Sequence, residues 1–317
     1  MLSIRSGAVL GGAACVLALL SACGGGSNSS GEAPPTSAQV DLSGLDLSTA
    51  AYCDLTVDAR CLYPFPNNYF TRADDGTPTG RRVNFQTEAM PVAQPLSIAP
   101  NPLAPAGVET TEETPIDPGP WNRNDGFSPG AMIQTWVPDV DLDASGAVAI
   151  GDLSATMDAD APILVLDAET GERQLIWSEL DANASSDEGR ALIIRPARNL
   201  LEGRSYIVVL RDLLNSEGEP IEPTPLFRAY RDGLRTGEPV LEARRADMNA
   251  LFDTLETHGV ERDGLVQAWS FTVASQKSLT ERMLHIRDQA FAGLGGGAPA
   301  FTIDQVGETS RASPAAA

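Results

Sequence analysis

Short apolar runs separated by turn residues dominate the middle of the chain. Residues 192–194 and 206–210 are runs of strand length, rich in β-branched residues and too short for isolated helices. Similar runs occur at residues 132–137, 163–166, 173–177, 226–230 and 266–273. A hairpin turn is expected at residues 167–171, between the runs at 163–166 and 173–177. The pattern predicts a mainly-β fold with about seven strands in a two-sheet sandwich.

The connection between residues 194 and 206 has the composition of a tyrosine corner. Pro196 ends the first run, Leu200 supplies a buried plug, Gly203 allows a backbone turn, and Tyr206 opens the next strand. In such a corner the tyrosine hydroxyl bonds to the backbone of the preceding crossover and joins two sheets. The alternative is a helical turn with an incidental tyrosine.

Two helices interrupt the β pattern. The first covers residues 241–258, ends at Gly259 and places four apolar residues on one face: Met248, Leu251, Phe252 and Leu255. The second begins at Ser278 with a Ser-Leu-Thr-Glu capping box and runs to Gly293, with its own apolar face: Leu279, Met283, Ile286 and Ala290. We expect both faces to lie in the core and interpret His258 and His285 as surface or packing residues.

The N-terminus predicts export. Arg5 precedes an apolar run at residues 8–20, which is too short for a comfortable membrane span and is typical of a signal peptide, here residues 1–22. Leu-Ser-Ala before Cys23 resembles the lipobox of bacterial lipoproteins, which implies a lipidated Cys23 and a lipid anchor in the cell envelope. Gly24 is compatible with an outer-membrane location, facing the periplasm or the cell surface. The alternative is ordinary cleavage with an unmodified cysteine.

Cys53 and Cys61 are then the remaining thiols of the mature chain. Eight residues apart in an exported protein, they predict a local disulfide. Zinc is disfavoured because two further ligands would be needed and both histidines lie far along the chain.

The composition of the chain limits the kinds of partner that it can bind. The chain has 317 residues, 42% of them hydrophobic, and a net charge of −21, with Lys277 as its one lysine. Such an acidic chain lacks the cationic surface that nucleic-acid binding requires, so we expect no nucleic-acid partner.

The segments outside the β pattern are divided by their composition. A flexible tether is predicted at residues 23–50, because residues 24–39 are rich in Gly, Ser and Pro. Residues 51–120 form a disulfide-closed extended segment followed by a loop with eight prolines over residues 86–120. The aromatic stretch at 62–70 is expected to lie across a sheet edge, with a ligand platform as the alternative. The sandwich is predicted at residues 121–235. A helix-strand-helix extension follows at 236–303, and a disordered tail at 304–317.

One motif has the form of a hydrolase signature. Residues 126–130 match Gly-x-Ser-x-Gly, in which the residue after the serine donates an N–H to the oxyanion hole. That residue here is Pro129, which has no N–H, and no buried strand leads into Ser128. We therefore predict a turn into the first strand and assign no catalytic residue.

Alternating carboxylates at Asp139, Asp141 and Asp143 can converge on calcium. The loop lacks the glycine at its sixth position, and Ile150 occupies the place of the bidentate glutamate of an EF-hand. A weaker calcium site and a solvated acidic surface remain as alternatives, and no other cofactor is expected.

Several stretches resemble known families. Residues 160–163, 170–171, 192–206 and 218–221 are similar to bacterial Ig-like domains of the S-layer type. More broadly, residues 53–301 resemble the N-terminal region of bacterial virulence-factor lipases and related exported α/β-hydrolases, through Pro-Phe-Pro-Asn at 64–67, residues 121–130 and residues 269–275. Those relatives continue into a catalytic domain whose serine, acid and histidine have no counterparts here.

Three functions are consistent with these patterns. The first is a noncatalytic Ig-like module that positions a hydrolase domain of the lipase or esterase type. The second is a self-sufficient surface binding or adhesion lipoprotein. The third is an esterase or lipase in its own right, which lacks a supported nucleophile, base and metal set.

Overall fold

A computed structural model describes residues 39–57, 60–93, 114–186 and 189–302. The predicted signal peptide, Cys23, most of the predicted tether and the tail at 304–317 lie outside these residues. The described strands are β1 Thr71–Ala73, β2 Arg81–Val83, β3 Val92–Ala93, β4 Thr114–Pro115, β5 Ile133–Thr135, β6 Ile163–Asp167, β7 Ile176–Leu180, β8 Leu192–Pro196, β9 Ser205–Arg211 and β10 Leu265–Thr272. The described α-helices are α1 Pro225–Arg231, α2 Pro239–Glu242, α3 Arg245–Thr257 and α4 Gln276–Leu294.

Two three-stranded antiparallel sheets form the centre of this sheet-rich fold. The first has the order β10-β9-β6, with Val208 of β9 paired to Trp269 on one side and Val165 on the other. The second has the order β5-β8-β7. Buried residues of both sheets belong to one apolar cluster, including Ile133 and Ile194 from the second sheet. Two two-stranded pairs, β1-β2 and β3-β4, complete the described sheets.

The first sheet is buried on both of its faces. Alternate residues such as Leu164 and Val209 belong to a second apolar cluster formed with α1 and α3, while Val165 and Val208 face the cluster shared between the sheets. Burial on both faces explains why these strands are continuous apolar runs rather than alternating ones.

Six of the seven predicted strands are present, and the prediction for residues 226–230 is wrong. They lie in α1, where Thr224 caps the helix by accepting a bond from the Phe227 N–H at 3.3 Å and Pro225 occupies the first turn. Proline is favoured at this position because its missing N–H would be unpaired there anyway. The described residues contain four α-helices and not the two expected, because α1 replaces the predicted strand and the predicted helix at 241–258 is divided into α2 and α3.

The predicted hairpin at residues 167–171 is partly wrong. The turn forms, and the returning chain pairs with β6 as far as Gln174, whose N–H donates to the Val165 carbonyl at 2.8 Å. The chain then crosses into the other sheet, where β7 pairs with β8.

The connection from β8 to β9 joins the two sheets. The Tyr206 hydroxyl accepts a hydrogen bond from the Leu201 N–H at 2.9 Å, Leu200 is buried, and Gly203 has φ of 73°. Pro196 is the last residue of β8. Because a positive φ is costly for residues with a Cβ, glycine suits the turn position.

Two segments before residue 120 pack onto this core. Phe65 exchanges two backbone hydrogen bonds with Gln134, at 2.8 and 2.7 Å, and so extends the second sheet beyond its edge strand β5. Its ring meets that of Phe127 edge to face at 5.6 Å, so these aromatics take part in packing. The predicted tether is wrong from residue 40 onward, because Val40 and Leu42 are buried in the cluster with α1 and α3.

Candidate functional site

The start of α4 is fixed to the body by a buried carboxylate. Both oxygens of Asp125 accept bonds from Ser275, one from its N–H at 2.9 Å and one from its hydroxyl at 2.6 Å. The Ser275 hydroxyl also accepts from the Ser278 N–H at 3.1 Å and caps the helix. The helix therefore begins two residues before the predicted Ser278, and it ends at Leu294, so that Gly295 and not Gly293 is the glycine that terminates it. Asp125 therefore links the residue before α4 to the segment that precedes β5.

The Gly-x-Ser-x-Gly stretch forms the turn that carries this carboxylate. A Cβ on Gly126 would lie 2.7 Å from the backbone nitrogen of Ala274, so only glycine permits the close approach to the end of β10. Ser128 is exposed, and its hydroxyl accepts from the Gly130 N–H at 3.3 Å. The carbonyl of Pro129 accepts from the Leu200 N–H at 2.9 Å, which ties the turn to the Tyr206 connection.

The apolar side chains of α4 are exposed, so the prediction that they lie in the core is wrong. No residue of this 19-residue helix is buried. Met283 and Phe291 are 67% and 65% exposed, and Leu279, Leu284 and Ile286 are exposed as well. We define these five residues as the α4 apolar face. Exposed apolar clusters of this kind mark interaction surfaces more often than isolated exposed residues do.

A groove opens between α3 and residues 67–73. It has a volume of about 730 Å³, and its floor is the end of the first sheet, where Ser205 of β9 and Ser270 of β10 lie. Asp247, Ala250 and Thr254 line the α3 side. The Asn68 side chain lies at the opposite side and donates to the Ser270 hydroxyl at 3.3 Å. The groove combines hydroxyl, amide and aliphatic groups and lies within the size range of ligand sites.

A buried ion pair holds the wall of this groove in place. Asp54, which follows Cys53 in the disulfide loop, is fully buried and forms a bidentate pair with Arg244 at the start of α3, with Oδ2 to Nη2 at 2.8 Å. Its carboxylate also accepts from Thr56 and from the Asn67 amide, both at 2.7 Å. Burial by itself would raise the pKa of Asp54, but the charge of Arg244 and these hydrogen bonds outweigh it and hold the pKa below its usual value.

This network was not identified from the sequence. Cys53 and Cys61 form the expected disulfide. No motif, however, connects Asp54 to an arginine 190 residues away. An acidic residue beside a disulfide cysteine is the one sequence signal, and it is too common to be specific.

The acidic loop after β5 shows no converging ligands. Asp139 is exposed and has φ of 57°, Asp143 is exposed, and the Asp141 carboxylate accepts from the Ala144 N–H at 2.8 Å. Within the described ranges, no group of three or more His, Cys, Asp or Glu side chains is placed to hold a metal ion. Among the same residues, no helix is long and apolar enough to cross a membrane.

Comparisons of the chain with protein-family models, curated proteins and solved structures each find no match. Two surfaces of the described residues can bind a partner or a ligand: the α4 apolar face and the groove beside α3.

Proposed function

We propose that this chain is an exported, lipid-anchored, noncatalytic module that positions a lipase-like or esterase-like hydrolase domain at the bacterial cell envelope. Cys23 would carry the lipid, and the globular part would be an Ig-like β-sandwich with added helices. The two three-stranded sheets that share one apolar cluster, together with the Tyr206 hydroxyl bonded to the Leu201 N–H, support the sandwich assignment.

The observation that carries the proposal is the α4 apolar face. A helix that is polar on one side gains most of its stability by burying its apolar side, yet α4 buries none of it within the described residues. Its start is nevertheless held by Asp125 and Ser275. A helix that is firmly attached at one end and leaves its apolar face uncovered is suited to hold a second protein domain in a defined orientation.

The test places a photo-crosslinking amino acid at Met283 of the full chain, in the cells that produce it. The matched control places it at His285, whose neighbours on the helix, Glu281, Arg282, Asp288 and Gln289, are all polar. Irradiated extracts are then treated with a fluorophosphonate probe, which reacts with the activated serine of serine hydrolases. We expect a probe-labelled crosslinked product from the Met283 variant that is absent from the His285 variant.

Two results would contradict the proposal. Labelling of this chain without a partner would support an enzyme, and a Met283 product that never carries the label would remove the hydrolase from the assignment. Mass spectrometry of the membrane fraction tests the anchor separately, because an unmodified thiol at Cys23 would refute lipidation.

A second candidate function, a self-sufficient surface binding lipoprotein, is favoured by the groove beside α3. Ala250→Trp would fill the groove from an exposed position of α3. If the groove binds envelope glycans, a glycan array should show binding by the wild-type chain that this variant loses. Identical array profiles for the two proteins would argue against this function.

A further inference from the structure

We propose that the α4 apolar face docks onto a protein surface in which carboxylates surround an apolar groove, and that Arg282 and Arg287 select this surface. The inference rests on the proposed function for the existence of a hydrolase partner. It adds the chemistry of the partner's surface, which neither the export signal nor the sheet arrangement specifies.

Arg287 lies inside the apolar face rather than beside it. Its four neighbours at three and four residues along the helix are Met283, Leu284, Ala290 and Phe291, all apolar. Any surface that covers this face therefore also covers the guanidinium group. A buried guanidinium group needs hydrogen-bonding partners of opposite charge, because leaving it unpaired is costly.

The present partner of Arg287 is easily exchanged. Its Nη2 atom lies 2.6 Å from Oδ1 of the adjacent Asp288, and both side chains are more than half exposed. Exposed pairs of this kind contribute little to stability, so a partner carboxylate can replace Asp288 at small cost.

Arg282 lies at the border of the same face. Its helix neighbours include Leu279 and Ile286, and the side chain is exposed with no ion pair to any described residue. With Lys277, α4 carries three basic and two acidic residues, in a chain whose net charge is −21. The helix thus presents cationic groups around an apolar centre, in contrast to the acidic remainder of the chain.

This arrangement favours a protein with a local carboxylate-lined groove over two other occupants. An anionic membrane is disfavoured because segments that bind anionic lipid carry about four to eight basic residues, whereas α4 carries three together with two acidic ones. A second copy of the chain would bring two highly acidic bodies together, and pairing of two α4 helices would place their arginines near each other. A carboxylate-lined groove satisfies both the apolar side chains and the two guanidinium groups.

The test compares two double variants in the Met283 crosslinking experiment. Arg282→Glu with Arg287→Glu reverses the charge, whereas Arg282→Lys with Arg287→Lys retains it. Arg228→Glu, at an exposed position of α1, is the control for a single charge reversal elsewhere. We expect the double reversal to lower the crosslinked fraction by about tenfold or more, because charges within a docking surface govern encounter and register. The lysine variant and Arg228→Glu should stay within about twofold of the wild type.

The outcomes separate this inference from the proposed function. An unchanged crosslinked fraction in the double reversal would overturn the inference even if the partner carries the fluorophosphonate label. A charge-dependent partner without the label would support the inference and contradict the hydrolase assignment. Flotation of the unlipidated Cys23→Ser chain with phosphatidylglycerol vesicles but not with phosphatidylcholine vesicles, lost when the double reversal is added, would assign the face to a membrane and overturn the inference. Circular dichroism of each variant verifies that the fold is retained.

Discussion

The helices α3 and α4 have the same kind of apolar spacing but opposite surroundings. The α3 residues Met248, Leu251, Phe252 and Leu255 are all buried against α1 and the first sheet. Residues of α4 at equivalent spacing are exposed along the whole helix. Periodicity shows that a helix has a face to bury but not what will cover it. The difference is that α3 completes the core of this domain, while the apolar face of α4 is left uncovered by the residues that the structure describes.

The largest expected effect compares one phenylalanine from each helix. Phe252 is fully buried and packs edge to face on Phe227 at 5.9 Å, so Phe252→Ala should lower the free energy of unfolding by about 3–5 kcal/mol. Phe291→Ala, on the exposed face, should change it by less than about 0.5 kcal/mol. Urea unfolding of the two purified variants measures both values. A large loss for Phe291→Ala would mean that α4 packs within this chain, and the comparison would fail.

The second prediction concerns the start of α3. Asp54→Asn should lower the free energy of unfolding by about 3 kcal/mol, because it leaves the largely buried guanidinium group of Arg244 without its counter-charge. Urea unfolding at neutral pH measures the loss. Asp75→Asn, at an exposed position of the turn between β1 and β2, is the matched control, for which a much smaller change is expected.

The same pair also predicts a pH dependence. The folded-state pKa of Asp54 lies below its usual 3.8, so the stability from the ionised carboxylate is present above that value and is lost as the pH falls through the folded-state pKa. Urea unfolding of the wild type should therefore show a decline in stability below about pH 4 that is reduced in Asp54→Asn. Equal acid declines in the two proteins would show that other carboxylates dominate.

The third prediction tests the start of α4. Ser275→Ala removes the helix cap and one bond to Asp125, so it should cost about 1 kcal/mol and speed amide exchange in the first turn of α4. Ser278→Ala should have a smaller effect, since Ser278 does not cap the helix. Hydrogen-exchange mass spectrometry distinguishes the two. A larger effect at Ser278 would restore the capping box that the sequence suggested.

The smallest effect is expected at the turn that holds α4. Ser128 is exposed and contributes one weak contact to Gly130, so Ser128→Ala should leave both the unfolding transition and ester hydrolysis at the wild-type level. Assays with short- and long-chain esters measure the second quantity. Hydrolysis that disappears in this folded variant would revive the enzyme hypothesis.

Local chemistry was sufficient to predict several features from the sequence. Six strands were found because apolar runs bounded by turn residues have few alternatives, and the disulfide because the two cysteines are close in the chain. The spacing of Pro196, Leu200, Gly203 and Tyr206 likewise indicated where a sheet-joining connection would lie. Residues 226–230 were misassigned because a short apolar run is compatible with either a buried strand or a buried helix.

The sequence by itself determined which segments have surfaces to bury, because side-chain size, charge and periodicity are local properties. Only the tertiary structure decided which of those surfaces find a partner within this chain. Asp54 and Arg244 are separated by 190 residues in the sequence, and Asp125 and Ser275 by 150, so these pairs form only when the chain folds. The exposure of α4 depends on its position outside both apolar clusters. No local pattern encodes these distances, so the α4 apolar face became visible only once the fold had placed it at the surface.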